Sequence, residues 1–159
     1  MLSDRMGHNI SGVVARRDAL ATVGAPLAGQ SLYRLADDFV FLPIDYTNLD
    51  VLVGASAPLH PFQYLSEPLL DLLRRASEGR TLVYVETDYF GGAGGQGSAV
   101  FRNERIRFGP EFTKGTGGAI NDALAWLDVI VRPGHADAFE TIGLNAGRRN
   151  DEFPPQVSP

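Results

Sequence analysis

Residues 82–101 read LVYVETDYFGGAGGQGSAVF, and the predicted fold of the chain follows from this stretch. The first nine residues are aliphatic, aromatic or β-branched apart from Glu86 and Asp88, a composition typical of a β-strand. The last four residues are again strand-like, and the segment 91–97 between the two strands is rich in glycine. We therefore predict a β-hairpin with a flexible glycine-rich loop or bulge at 91–97.

Side chains alternate between the two faces of a strand, so the first strand presents two different sets of residues. The predicted core face consists of Val83, Val85, Thr87 and Tyr89. The opposite face, which becomes acidic toward its end, consists of Leu82, Tyr84, Glu86, Asp88 and Phe90. We expect Glu86 and Asp88 to lie side by side at a rim or cleft, either as part of a functional surface or as a solvated strand face.

The segment 92–97 matches the G-x-G-x-x-G pattern of dinucleotide-binding folds. In those folds the last glycine opens a helix, whose N-terminus holds the pyrophosphate. Here Gly97 is followed by strand-like residues, so this interpretation fails. A protein-kinase glycine loop also fails, because Lys114 is the chain's only lysine and the V-A-I-K, H-R-D and D-F-G motifs are missing. The glycines are therefore expected to provide conformational freedom in the loop, and phosphate binding remains the alternative role.

Two helices are predicted on either side of this hairpin in the sequence. The first covers 66–78, with Ser66 as its N-cap and Gly79 just after its end. Its apolar stripe consists of Leu65, Leu69, Leu72, Leu73 and Ala76. The second covers 119–129 and follows glycines at 115–118, which are expected to form a sharp turn, with anion binding as the alternative.

Further strand patterns predict the fold class. They lie at 9–15, 32–35, 39–42, 105–108 and 138–144, and a short helix is predicted at 17–23. Turns instead of helical crossovers separate most of these strands. We therefore expect a single α+β domain over 8–144, with a mostly antiparallel sheet packed by two or three helices. Residues 1–7 and 145–159 are expected to be flexible termini.

Length, charge and cysteine content limit the kinds of protein that this chain can be and the partners that it can bind. The chain has 159 residues and a net charge of −5, which argues against general nucleic-acid binding. It has no cysteine, so disulfides and thiolate chemistry are excluded. No apolar run is long enough for a membrane span, and the first residues lack the order of a signal peptide. These features lead us to expect a cytoplasmic protein that binds another protein. We expect it to bind neither nucleic acid nor a membrane.

Residues with catalytic or metal-binding potential show no recognisable motif. The three histidines, His8, His60 and His135, are far apart and lack metal-ligand spacing, so no metal or cofactor is expected. A G-x-S-x-G elbow is also missing. Glu86 and Asp88, about 6–7 Å apart at Cα on one strand face, have a spacing that suits an acid and a base.

The string at 84–92, together with 95–97, resembles a pattern in a family of small uncharacterised bacterial proteins. The segments 10–15 and 117–124 are similar to the same pattern, so the resemblance covers most of 8–144. It implies no particular activity. In size and acidity the chain is also similar to the immunity proteins of bacterial toxin systems.

Two hypotheses follow. The first is a non-catalytic protein-binding domain, such as an immunity protein that neutralises a bacterial toxin. Its predicted binding residues are Tyr84, Glu86, Asp88, Tyr89, Phe90, Gly94 and Gln96. The alternative is a small enzyme or ligand-binding protein that uses Glu86, Asp88 and the loop 91–97.

Overall fold

The computed structural model describes residues 7–90, 93–115 and 118–156. In this part of the chain, six strands form one antiparallel sheet. They are β1 (Ser11–Arg16), β2 (Tyr33–Arg34), β3 (Phe39–Pro43), β4 (Thr81–Phe90), β5 (Ala93–Arg102) and β6 (Arg105–Lys114). Their order across the sheet is β2-β3-β1-β4-β5-β6, so β4 lies between β1 and β5. Consecutive hairpins therefore build most of the sheet, as the strand pattern predicted.

Helices cover both faces of this sheet. They are α1 (Arg17–Ala21), α2 (Leu49–Val53), α3 (Glu67–Ala76), α4 (Ala119–Leu124) and α5 (Ala138–Thr141). The first three pack on one face, and α4 and α5 pack on the other. The predicted single α+β domain is thus confirmed. Within the described ranges, no helix combines the length and apolar character that a membrane crossing requires.

Two hydrophobic cores, one on each face, correct the predicted one-sided packing of β4. The first core joins the sheet to α3 through Leu82, Tyr84, Phe101, Leu69 and Leu73. The second joins it to α4 and α5 through Val83, Val85, Val100, Ile120 and Phe139. Both sets of β4 side chains are therefore buried, which explains why this strand is apolar along most of its length.

The helix predicted at 66–78 is confirmed as α3. The Ser66 hydroxyl accepts a hydrogen bond from the Leu69 N–H at 3.3 Å and caps the first turn. The helix predicted at 119–129 is shorter. It ends at Leu124 and continues as a 3-10 turn, Ala125–Leu127, after which Asp128 adopts a left-handed conformation with φ of 58°.

The strand predicted at 138–144 is wrong, because this segment contains the helix α5. The Asp137 carboxylate accepts a hydrogen bond from the Glu140 N–H at 2.9 Å and caps the first turn. The side-chain cap stabilises a helical turn at 138–141, where the sequence pattern had indicated a strand.

The chain after residue 144 returns to the sheet. Phe153 is buried, and its ring centroid lies 5.3 Å from that of Phe41 in β3. The Arg34 N–H donates to the Pro154 carbonyl at 2.7 Å. The predicted domain boundary at 144 therefore omits Phe153, which is a core residue. Residues 145–156 were expected to be a flexible tail, but this segment packs against the sheet. The predictions for 1–6 and 157–159 lie outside the described residues.

Most of the predicted glycine loop belongs to β5. Asp88 pairs with Gly95, Tyr89 with Gly94 and Phe90 with Ala93. The β4–β5 ladder thus begins directly after residues 91–92. These two residues lie outside the described residues, and so do residues 116–117 before α4. The prediction of a loop across 93–97 is wrong, because glycines here take part in regular strand pairing.

Candidate functional site

Glu86 lies inside the protein and not at the expected rim, with only 1% of its surface exposed. Its Oε1 accepts a hydrogen bond from the Gln63 N–H at 2.6 Å. Its Oε2 accepts from the N–H groups of Tyr64 and Leu65, both at 3.0 Å, and from the Tyr84 hydroxyl at 2.5 Å. This carboxylate therefore anchors the main chain of the segment 63–65 to the sheet.

The pKa shifts of Glu86 and Tyr84 support a structural role for both residues. Burial raises the pKa of the Glu86 carboxyl, while the hydrogen bonds from Tyr84 and from the three backbone N–H groups act in the opposite direction. Burial and the nearby Glu86 carboxyl raise the pKa of Tyr84, so its hydroxyl stays protonated and donates. Glu86 is enclosed by its own partners, and Tyr84 is completely buried.

The glycines of β5 leave space for two aromatic rings. A Cβ at Gly95 would lie 2.6 Å from the Phe112 ring, and one at Gly97 would lie 2.8 Å from it and would overlap the Phe62 ring. These two rings meet edge to face, with centroids 5.7 Å apart. The alternate glycines thus leave room for Phe62, which directly precedes the segment that Glu86 anchors.

Tyr89 and Gln96 connect the opposite face of the sheet to α4. The Gln96 Oε1 accepts a hydrogen bond from the Ile120 N–H at 2.8 Å, and its Nε2 donates to the Tyr89 hydroxyl at 3.1 Å. The Tyr89 hydroxyl in turn donates to the Gly115 carbonyl at 2.5 Å. Gly118, at the N-cap, has no side chain, so Gln96 supplies the helix with a cap from the sheet.

The predicted site residues therefore separate into two groups. Tyr84, Glu86, Tyr89 and Gln96 are buried and serve the fold. Asp88 and Gly94 are half-buried, and Phe90 is 65% exposed. Only this second group reaches the surface, at the end of the β4–β5 hairpin, and the structure does not bring the seven residues together as one surface.

A polar cleft of about 670 Å³ lies near the start of β1, and the sequence patterns did not predict it. We call it the tyrosine cleft, and we define it by Tyr33, Tyr46, Tyr64, Asp45, Arg149 and Asp151. Tyr46 is 80% exposed, and Tyr33 and Tyr64 are half-buried. The lining of this cleft thus combines three tyrosine side chains with charged groups of both signs.

Hydrogen bonds link the polar groups at the floor of this cleft. The Asn150 side chain accepts from the Ser11 N–H at 2.8 Å and donates to the Asp45 Oδ2 at 2.7 Å. The Asp45 Oδ1 accepts from the Thr47 N–H at 2.9 Å and from the Thr47 hydroxyl at 2.6 Å. The Ser11 hydroxyl donates to the Ile44 carbonyl at 2.6 Å. The hydroxyl and the carboxylate of the floor are thus engaged within the protein.

Burial and nearby carboxylates favour the neutral form of the Tyr64 phenol. Burial raises the pKa of its phenol, and the carboxylates of Asp45, Glu86 and Asp88 act in the same direction. The phenol therefore stays protonated at neutral pH, as a hydrogen-bond donor. Asp88, predicted from the sequence, thus contributes to the electrostatics at this edge of the cleft.

The cleft escaped prediction because its residues come from distant parts of the chain. Asn9, Tyr33, Tyr64 and Arg149 belong to four separate segments, and no motif connects them. One local signal existed: a polar turn at 45–48 directly follows the buried strand β3.

Comparisons with known proteins add no candidate function. No protein-family model, curated protein or solved structure matches the chain. In the described part of the chain, His, Asp and Glu side chains form no cluster that could hold a metal ion.

Proposed function

We propose that this chain is a non-catalytic protein-binding domain whose binding surface is the tyrosine cleft. The observation that carries the proposal is the contrast between the walls and the floor of this cleft. Three tyrosines stand at the walls, one of them almost fully exposed, while hydrogen bonds engage the polar groups of the floor. Exposed tyrosines are frequent anchors of protein interfaces.

The state of the floor favours binding over catalysis. A general base or nucleophile needs a group within reach of the substrate and a partner that activates it. The Asp45 carboxylate accepts hydrogen bonds on both oxygens, and the Ser11 hydroxyl donates to a carbonyl instead of to a base. The raised pKa of Tyr64 also opposes formation of a phenolate.

Charge indicates the chemistry of the partner. Asp45 and Asp151 line the cleft, and Asp88 lies close enough to act on Tyr64, whereas Arg149 adds one positive charge. Tyrosine rings attract cations through their π faces. With the net charge of −5, these features suit a partner that inserts a lysine or arginine side chain between the tyrosines.

The more specific form of the proposal is a bacterial immunity protein that acts in the cytoplasm and neutralises a toxin. Its support is the small size, the acidity and the acidic aromatic cleft. The alternative, an enzyme or ligand-binding protein built on Glu86, Asp88 and the loop 91–97, loses support because Glu86 is enclosed by its partners.

Site-directed photo-crosslinking in the source cell tests the proposal. A photoreactive phenylalanine analogue at position 46 should capture a specific protein, identified by mass spectrometry. The same analogue at position 130 is the control, because Ile130 is 85% exposed and does not line the cleft. Equal capture at both positions, or no capture at 46, would contradict the proposal.

The purified partner then allows a quantitative test by isothermal titration calorimetry. Tyr46→Ala should weaken binding about tenfold or more, and Asp151→Asn should slow association and reduce its salt dependence. Ile130→Ala is the matched control and should bind like the wild type. Unchanged affinity in Tyr46→Ala would place the binding surface elsewhere.

A further inference from the structure

A second cleft, of about 440 Å³, lies at the other end of β1. Its lining includes Arg16 at the end of β1, Arg102 at the end of β5 and Arg80 directly before β4. Because β1 and β5 both run antiparallel to β4, their last residues lie beside the start of β4, at one end of these central strands. We call this site the arginine cleft.

Hydrogen bonds to neutral groups hold these guanidinium groups in place. Arg16 donates to the Leu127 carbonyl at 2.8 Å, and Arg80 donates to the Ala76 carbonyl at 2.7 Å. Arg102 donates to the Thr81 hydroxyl and to the Trp126 carbonyl, both at 2.7 Å. The positive charges are therefore fixed before any ligand arrives, which lowers the entropic cost of binding.

Within the part of the chain that the structure describes, no ion pair neutralises the charges of these arginines. In the described residues, the ion pairs involve Arg17, Arg74, Arg75 and Arg132. Asp18 and Asp128 line the arginine cleft, but neither forms an ion pair with its arginines. A guanidinium has five N–H groups, and hydrogen bonds to described residues occupy one on Arg16, two on Arg102 and at most three on Arg80. Donors therefore remain on all three.

Trp126 adds an aromatic wall and brings a fourth arginine close. The Cζ of Arg102 lies 5.2 Å from the centroid of a Trp126 ring, and that of Arg107 lies 5.8 Å from it. Such contacts position guanidinium groups over the indole. Positive charge thus surrounds the aromatic part of the cleft.

We propose that the arginine cleft binds a small ligand through a phosphate group. Planar guanidinium groups bind phosphate oxygens in pairs, and several of them around one cleft suit a multiply charged anion. The volume falls in the range of about 300–1,000 Å³ that is usual for small-molecule sites. Asp18 and Asp128 would repel a long polyanion that runs past the cleft, which favours a small ligand over nucleic acid.

This site is independent of the proposed protein-binding function. Ser11, at the tyrosine cleft, and Arg16, at the arginine cleft, are the two ends of β1. At about 3.4 Å per residue, the two clefts are separated by roughly 17 Å along the strand. Opposite charges at the two ends allow the chain to bind a basic protein and an anionic ligand at the same time.

Calorimetric titration with inorganic pyrophosphate at constant ionic strength tests the proposal. Fluorescence locates the binding, because Trp126 is the only tryptophan of the chain. We expect saturable binding with a matching change in Trp126 emission. Arg16→Gln should weaken this binding about tenfold or more. Arg75→Gln, which removes an exposed arginine outside the cleft, should leave binding unchanged.

Arg102→Lys keeps the charge but loses the planar fork, so it should also weaken binding while preserving the fold, as checked by circular dichroism. Three results would overturn the proposal: no saturable binding by the wild type, equal losses in Arg16→Gln and Arg75→Gln, or citrate binding as tight as pyrophosphate. Tighter binding of a single-stranded oligonucleotide, with a steep salt dependence, would overturn the choice of a small ligand.

Discussion

The Thr87 hydroxyl lies 2.7 Å from Nδ1 of His8, and the same oxygen accepts a hydrogen bond from the Ile10 N–H at 3.0 Å. The other ring nitrogen, Nε2, lies 3.2 Å from the Leu144 carbonyl, which can only accept. The neutral tautomer with its proton on Nε2 therefore satisfies every group, and Thr87 donates to Nδ1. Burial is the main cause that lowers the pKa of His8.

This arrangement predicts a loss of stability in mild acid. The folded pKa of His8 is below its ordinary value of 6.5, so the unfolded chain takes up the proton first as the pH falls. The stability is complete above the unfolded value and decreases as the pH falls through it toward the folded value. Urea titrations between about pH 5 and 7.5 should show this decrease.

His8→Gln provides the control for this effect, since the amide has no charge to gain in that window. Its stability should depend less on pH than that of the wild type. Equal pH dependence in both proteins would contradict the assignment of the effect to His8.

Glu86→Gln should destabilise the fold. An amide nitrogen cannot accept, so at least one N–H of the segment 63–65 loses its hydrogen-bond partner, at a cost of about 1–3 kcal/mol. Asp88→Asn, half-buried on the same strand face, should change the free energy of unfolding by about 0.5 kcal/mol or less. Denaturant titration measures both changes, and similar values would show that Glu86 is not a special anchor.

Gly97→Ala should cost about 1–3 kcal/mol, because its Cβ would overlap the Phe62 ring and press on Phe112. Gly24→Ala is the matched control. A Cβ at Gly24 would meet nothing within 4 Å, so this change should be neutral or slightly stabilising. If both variants unfold at the wild-type denaturant concentration, β5 accommodates side chains that the observed packing excludes.

Leu72→Ala should cost about 2–5 kcal/mol, because Leu72 is buried in the α3 stripe against the first core. Val51→Ala, at a position that is 76% exposed on α2, should cost far less. Thermal and urea unfolding of both variants provide the comparison. A loss below about 1 kcal/mol for Leu72→Ala would show that the helix packs loosely at this position.

The sequence patterns predicted β4 and α3 because both depend on local signals. The apolar run before residue 90, and the leucine spacing behind the Ser66 cap, are contained in short windows. The burial of Glu86 could not be predicted in this way, because its backbone donors lie more than twenty residues earlier, in the segment 63–65. Carboxylates are rarely buried, so alternation alone assigned it to the surface.

The role of the β5 glycines and the tyrosine cleft could not be predicted from the sequence, for different reasons. Gly95 and Gly97 resemble a loop because glycine is rare inside strands. The close approach of the Phe62 and Phe112 rings and of the Thr113 carbonyl explains them. The cleft combines β2, the turn after β3 and the chain near residue 150, which meet only once the sheet has formed. Propensity and spacing carry no information about such long-range contacts.

The anchoring of the segment 63–65 by Glu86 has a consequence for evolution. Glu86 contacts main-chain N–H groups, which every amino acid except proline supplies. Positions 63 and 64 can therefore exchange side chains without loss of the anchor. Tyr64 lines the tyrosine cleft, so the lining of this cleft can change at that position while the scaffold below it stays constant. Libraries that vary residues 63 and 64 should therefore yield folded proteins that differ in the lining of this cleft.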